Sequence, residues 1–236
     1  SVAIIPARGG SKRIPRKNIK LFNGKPIIYY SISEAIKSGL FSKVIVSTDD
    51  EEIAKLAIKY GADVPFIRPE KLSDDFSLTK EVVNHALDWL KSKGEIFDFA
   101  CTLYPTAPFV QSKYLRQGIE ELINSNAIYS FAVTSMPFPI YRTFEVTKKN
   151  RVKMFWPEHF ETRSQDLPEA YQDAGQFCWQ NITLDFEEEK NNVVFSEVSI
   201  PIILPRHLVQ DIDTIEDWNR AELMYKVLQQ EKLGFL

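Results

Sequence analysis

Between Pro6 and Asn18 the chain reads Pro-Ala-Arg-Gly-Gly-Ser-Lys-Arg-Ile-Pro-Arg-Lys-Asn, small residues interleaved with cations. Gly9 and Gly10 let backbone N–H groups approach an anion closely, while Arg8, Lys12 and Lys17 neutralise it and Ser11 and Asn18 add neutral donors. No acidic residue precedes Glu34, yet Arg8, Lys12, Arg13, Arg16, Lys17, Lys20 and Lys25 all do. In a chain of net charge −3 that asymmetry points to a compact polyanion such as a triphosphate, and away from general nucleic-acid binding. A solvated basic loop is the plainer alternative. Two common phosphate cradles are excluded: Gly24-Lys25 runs into Pro26 rather than Ser or Thr, and no G-x-G-x-x-G is present.

The second chemical feature is Asp211-Ile212-Asp213. Residues two apart on an extended chain face the same side, so both carboxylates can meet one hard cation while Ile212 turns into the core. An acidic loop in which Asp213 or Thr214 caps the final helix explains the same residues. His85, His159 and His207 lack metal or triad spacing, and Cys101 and Cys178 lack any C-x-x-C, so neither a zinc site nor a disulfide framework is expected.

These residues need a scaffold, and the chain alternates strand and helix to supply one. Residues 2–5 form an apolar run suited to a buried parallel strand, which Pro6 converts into a loop. Pro26 opens a helix that Gly39 ends, and residues 43–48 follow as a strand. Asp49 or Asp50 caps a helix over 51–60, and a short strand is expected at 64–67. Helices over 79–91 and 112–124 alternate with strands over 97–103 and 127–133. Strands over 175–182 and 195–204 and a helix over 215–230 complete the chain. The pattern predicts one α/β domain spanning 1–236, an open, mainly parallel sheet with helices on both faces. Residues 137–172, rich in Pro, aromatics and charge, interrupt it as an inserted arm suited to pairing two copies of the chain. The run at 2–5 is too short for a signal-peptide core and no later stretch could span a bilayer, so the cytoplasm is the expected compartment and no membrane partner is expected.

The motif Ala-Arg-Gly-Gly-Ser-Lys followed by Lys17-Asn18 resembles the nucleotide-binding signature of the CMP-sialic acid synthetase family. So, in the same order, do Arg68-Pro69-x-x-Leu72-Ser73-x-Asp75, Tyr104-Pro105-Thr106-Ala107-Pro108, Arg163-Ser164-Gln165-Asp166-Leu167-Pro168 and Asp211-Ile212-Asp213-Thr214-x-x-Asp217. The resemblance implies a Rossmann-like nucleotidyltransferase fold of the glycosyltransferase-A-like type, CTP as co-substrate and Mg²⁺ as cofactor. It implies that Arg8, Gly9, Gly10, Ser11, Lys12 and Asn18 bind the triphosphate and that Arg68, Ser73, Asp75, Ser77 and Thr79 read cytosine and ribose. Catalytic roles fall to Arg8, Lys12, Lys17 and Asp213, and the metal to Asp211 and Asp213. Tyr104, Thr106, Arg163, Gln176 and Phe177 would face an acidic nine-carbon sugar, with Arg163 offering its carboxylate a planar fork. On their own, residues 68–79 read as a polar turn before a helix capped by Ser77 or Thr79, and Arg163 as a surface partner of Asp166. Tyr104 stands where sialic acid enzymes usually carry glutamine, and Ala174-Gly175-Gln176 where they usually show Asn-Gly-Ala. These departures favour the pseudaminic acid branch of the family, with legionaminate or N-acetylneuraminate as alternatives and a homodimer as the expected assembly. A CTP-binding regulator without catalysis is the reading from another class.

Overall fold

A computed structural model describes residues 1–184 and 194–232. Its first strand, β1 (Val2–Pro6), is apolar at every position because both its faces are covered. Ala3 and Ile5 join one buried cluster and Val2 and Ile4 another. A hairpin of β2 (Leu21–Phe22) and β3 (Lys25–Pro26) follows, reversing at Asn23 and Gly24, which both take positive φ as a tight hairpin turn demands. Pro26 therefore lies in this hairpin rather than opening a helix, and α1 spans Ile28–Ser38 before Gly39 closes it at φ 66°.

Next come β4 (Lys43–Ser47), α2 (Glu51–Lys59), α3 (Thr79–Ser92), β5 (Phe99–Leu103), α4 (Ser112–Ile123) and β6 (Tyr129–Ser135). The strand expected at 64–67 is instead a pair of isolated bridges, Ile45 to Asp63 and Thr48 to Ile67, because the chain touches the edge of β4 without running beside it. A small antiparallel hairpin, β7 (Phe144–Val146) with β8 (Val152–Met154), lies within the segment 137–172. The chain ends in β9 (Tyr171–Asn181), β10 (Ser199–Ile203) and α5 (Ile215–Lys232). β9 starts four residues earlier than the 175–182 expected, and β10 starts at Ser199 rather than 195.

The main sheet runs β10-β6-β9-β5-β1-β4. β4, β1 and β5 are mutually parallel, as are β6 and β10, while β9 runs antiparallel to both β5 and β6. The sheet is thus mainly parallel with one reversed strand near its middle. Helices α1, α2 and α4 pack one face and α3 the other, through Val83, Ala86 and Leu90. Among the described residues no helix is long and apolar enough to cross a membrane.

The first α/β unit is locked by Asp50. Its carboxylate accepts the N–H groups of Glu52 and Ile53 at 3.0 Å as the cap of α2, and takes the fork of Arg16 at 2.5 and 2.9 Å. Arg16 reaches it from a left-handed backbone conformation, φ 55°. Its hydrogen bonds hold the Asp50 carboxyl down to about 2, the helix N–H groups adding to the effect against the opposing burial. A group depressed in this way stabilises the fold fully above the ordinary carboxylate range and loses that contribution as pH falls towards 2. We predict that Asp50→Ala costs about 2 kcal/mol in urea unfolding at neutral pH, and Asp50→Asn, which keeps the cap, about half. Wild-type stability should fall below pH 4 more steeply than that of Asp50→Ala; parallel pH curves would remove Asp50 as the lock.

Candidate active site

Because β1, β4 and β5 are parallel, their carboxyl ends open onto one side of the sheet, where ligand crevices of α/β folds form. The loops that leave them enclose a cavity of about 520 Å³. From the basic loop come Arg8, Ser11, Lys12, Arg13, Lys17 and Asn18; from the segment before α3, Arg68, Asp75, Ser77 and Thr79; from the end of β5, Tyr104 and Thr106. Asn18, buried, donates to the Arg8 carbonyl at 2.9 Å and folds the loop back on itself. Neither glycine of the loop lines the cavity: the Gly9 N–H donates to Asp49 Oδ1 at 2.9 Å, and Gly10 is exposed.

Asp75 collects cations. Arg8 donates to it at 2.9 Å and to the Asp74 carbonyl at 2.8 Å, and Lys12 also bonds it, so the Asp75 carboxyl lies below its usual range, with the Lys12 hydrogen bond the main cause. Arg68 is 4% exposed; its Nε donates to Ser73 Oγ at 3.2 Å and its fork lies 3.6 Å from Asp49. Burial lowers the Arg68 pKa, and Asp49 opposes that shift. Neither Ser77 nor Thr79 caps α3. Leu78 occupies the cap position, its N–H donating to Glu81 at 2.9 Å, while the Ser77 hydroxyl turns back to Asp74 at 2.7 Å.

Beside this cavity lies a second cleft of about 380 Å³ at the ends of β6 and β10, lined by Thr134, Gln172, Asp173, Arg206, Asp211 and Asp213 among others. Ile212 is 1% exposed and shares an apolar cluster with Ile14 of the basic loop, Phe22, Ile27, Phe109 and Trp218. The two charged segments are consequently in contact. Lys17 donates to the Ile212 carbonyl at 2.7 Å and lies 3.5 Å from Asp213, and Arg13 bonds Asp213 at 2.8 Å. The cap of α5 falls to Thr214 and Asp217 rather than to Asp213. The Thr214 hydroxyl accepts the Asp217 N–H at 3.2 Å, and the Asp217 carboxylate accepts the Thr214 N–H at 2.8 Å.

Asp211 and Asp213 therefore keep oxygens free for another partner. The protein packed around Asp211 pushes its carboxyl up, and repulsion from Asp213 adds to the effect; Asp173 is raised in the same way, with Asp211 contributing. Among the described residues no group of three or more His, Cys, Asp or Glu side chains is arranged to hold a metal alone. Two carboxylates bordering one cleft fit Mg²⁺, which binds through one or two carboxylates completed by substrate phosphates. Asp211 and Asp213 are the residues that would hold it.

Three residues expected at the sugar lie elsewhere. Arg163 is exposed and forks onto Asp166 at 2.7 and 3.2 Å, lining neither cavity. Phe177 is buried in the main core. Gln176 is buried too, donating to the Leu208 carbonyl at 2.6 Å. His85 packs edge-on to Phe66, and His159 against Tyr141. Sequence reading missed two residues at the site, Asp49 and Asp173, and named Arg13 only as one of the early cations. Asp49 lies two residues past the end of parallel strand β4, a region where site residues gather, and that was the available signal for it.

A Cβ added at Gly9 would lie 2.7 Å from Asp50 Oδ2 and 3.0 Å from its Cβ, on a side chain that cap and Arg16 hold in place. Nothing lies within 4 Å of a Cβ at Gly10. Gly9→Ala is expected to cost about 2 kcal/mol and lower the melting temperature by about 5 °C, and Gly10→Ala to leave it unchanged. Equal calorimetric midpoints for the two variants would mean that the loop yields freely at Gly9.

Comparison with known proteins agrees with this fold. The chain is 47% identical over 227 residues to a pseudaminic acid cytidylyltransferase of Campylobacter jejuni, covering 96% of this chain and 97% of that protein. It is 31% identical to a CMP-N,N'-diacetyllegionaminic acid synthase of Legionella pneumophila, with 97% of each covered. The fold matches that of a CMP:2-keto-3-deoxy-manno-octonic acid synthetase solved with CTP, at TM-score 0.65 and 14% identity over 98% of both chains. A family profile described as Cytidylyltransferase matches residues 2–232, and the chain belongs to that family.

Proposed function

We propose that this protein transfers the cytidylyl group of CTP to pseudaminic acid, giving CMP-pseudaminic acid and pyrophosphate for surface glycan biosynthesis in the cytoplasm. The observation that carries the reading is the contact of Arg13 and Lys17 with Asp213, which sets a cluster of phosphate-seeking cations against a carboxylate pair. CTP occupies the first cavity, its base and ribose read by Arg68, Ser73, Asp75, Ser77 and Thr79. The sugar acid lies towards the second cleft, past Tyr104 and Thr106. Burial, with Asp173 and Asp211 nearby, pushes the Tyr104 phenol up to about 12, so it stays protonated as a neutral donor at the junction of the two spaces.

The anomeric hydroxyl attacks the α-phosphorus in line, and pyrophosphate leaves without a covalent enzyme intermediate. Such a transfer depends on positioning and on neutralising the charge that develops. Arg8, Lys12 and Lys17 stabilise the departing pyrophosphate, and Lys17 also braces the chain at Ile212 so that Asp213 keeps its aim. The chemistry a bound Mg²⁺ supplies is Lewis acidity and charge neutralisation at the α-phosphate. The arm at 137–172 pairs two copies of the chain, a reading supported by the exposed Phe138, Phe144, Val152, Phe155 and Phe160 along it. A monomer by light scattering at working enzyme concentration would remove that assembly.

Pyrophosphate release from CTP with pseudaminic, legionaminic and N-acetylneuraminic acids tests the function, and pseudaminic acid is expected to be turned over fastest. Release with none of them would leave only nucleotide binding. Asp213→Ala is expected to lower kcat by about 10²-fold or more in a Mg²⁺-dependent assay while its circular dichroism stays native, and Lys17→Ala similarly. Undiminished turnover of Asp213→Ala would reject the metal assignment.

A further inference from the structure

We propose that Arg206 receives the carboxylate of the sugar acid in the second cleft, the role that sequence resemblance implies for Arg163. The inference rests on the proposed reaction and adds a residue that decides acid recognition. In a nine-carbon 2-keto acid the carboxyl group is bonded to the same carbon that carries the attacking hydroxyl. The cation that binds it must therefore sit in the space that holds the metal-binding carboxylates. Arg206 lines that cleft together with Asp173, Asp211 and Asp213, whereas Arg163 lines neither cavity of its own copy and is engaged there by Asp166.

Charge makes the same demand. Asp173, Asp211, Asp213 and Asp217 all border the cleft, a field that repels an anionic substrate unless a cation answers it. Of the two arginines there, Arg220 interacts electrostatically with Asp217. The Arg206 side chain is exposed and makes no hydrogen bond or ion pair among the described residues. It is the free guanidinium of the cleft, and its planar fork matches a carboxylate.

The backbone beneath it is fixed. The Val209 N–H closes the short turn over Arg206–Leu208 by donating to the Arg206 carbonyl at 3.1 Å, and Leu208 is buried. Thr134 ties the preceding Leu204 carbonyl at 2.8 Å, and Gln176, 3% exposed, donates to the Leu208 carbonyl at 2.6 Å. Gln176 is thus a positioning residue that serves the sugar through this turn.

The test is steady-state pyrophosphate release by the full chain, with Arg206→Ala, Arg206→Lys and Arg163→Ala, using pseudaminic acid and its C1 amide. Arg206→Ala should raise KM for the acid by about 10- to 100-fold, with KM for CTP within about two-fold of wild type, and Arg206→Lys should fall between. Wild type should prefer the acid to the amide; Arg206→Ala should lose that preference and Arg163→Ala should keep it. Unchanged KM and preference in Arg206→Ala, or loss of the preference in Arg163→Ala, overturns the assignment while a turning-over wild type leaves the proposed function intact. A wild type that releases no pyrophosphate with pseudaminic acid overturns the function and this assignment together.

Discussion

The site depends on an apolar seam. Ile14, from the basic loop, and Ile212, from between the two aspartates, bury themselves in one cluster with Phe22, Ile27, Phe109 and Trp218. Charge alone could not join these segments. The Arg13–Asp213 pair has side chains 68% and 36% exposed, and exposed ion pairs contribute little to holding a chain in place. Burial of the two isoleucines fixes where the segments meet, and so carries Arg13, beside Ile14, and Asp211 and Asp213, on either side of Ile212, to the walls of the cavities. Function is thereby placed by hydrophobic packing and tuned by electrostatics.

Cations of the basic loop are met by acids of the protein itself. Arg8 and Lys12 meet at Asp75, Arg16 at Asp50 and Arg13 at Asp213. A triphosphate entering the first cavity would exchange partners with Arg8, Lys12 and Arg13 rather than fill an unpaired basic hole. Arg16 differs from them, because its fork onto the cap of α2 is part of the fold. A cluster of seven cations in the sequence thus divides by burial and partner into residues that hold the scaffold and residues that face the cavity.

Much of this was legible in the sequence, and for local reasons. A five-residue apolar run that ends at Pro6 can be little other than a buried strand feeding a loop, and the aspartates flanking Ile212 announce their alternation. Asp50 and Gly39 mark helix ends by well-understood capping chemistry. What escaped were features set by distant partners. Pro26 reads as a helix start, yet the Asn23-Gly24 turn draws it into a hairpin. Arg163 and Asp166 could be paired from spacing alone, but only the fold shows that both cavities lie away from them. Gln176 and Phe177 sit in a motif matched to the sugar, and the break in β9 near Gly175, at φ 60°, leaves both of them buried. The direction of β9 is equally invisible locally, since parallel and antiparallel partners ask for the same apolar residues.

That reversed strand also constrains how the chain assembles. One parallel block, β4, β1 and β5, is complete by residue 103, and the other, β6 with β10, joins it only through β9. During synthesis the arm emerges before β9 does, so β5 and β6 wait with bare backbone edges until residues 171–181 leave the ribosome. Bare edges of this kind recruit foreign strands. The vulnerable interval in biogenesis is consequently the time taken to translate the residues that separate β6 from β9.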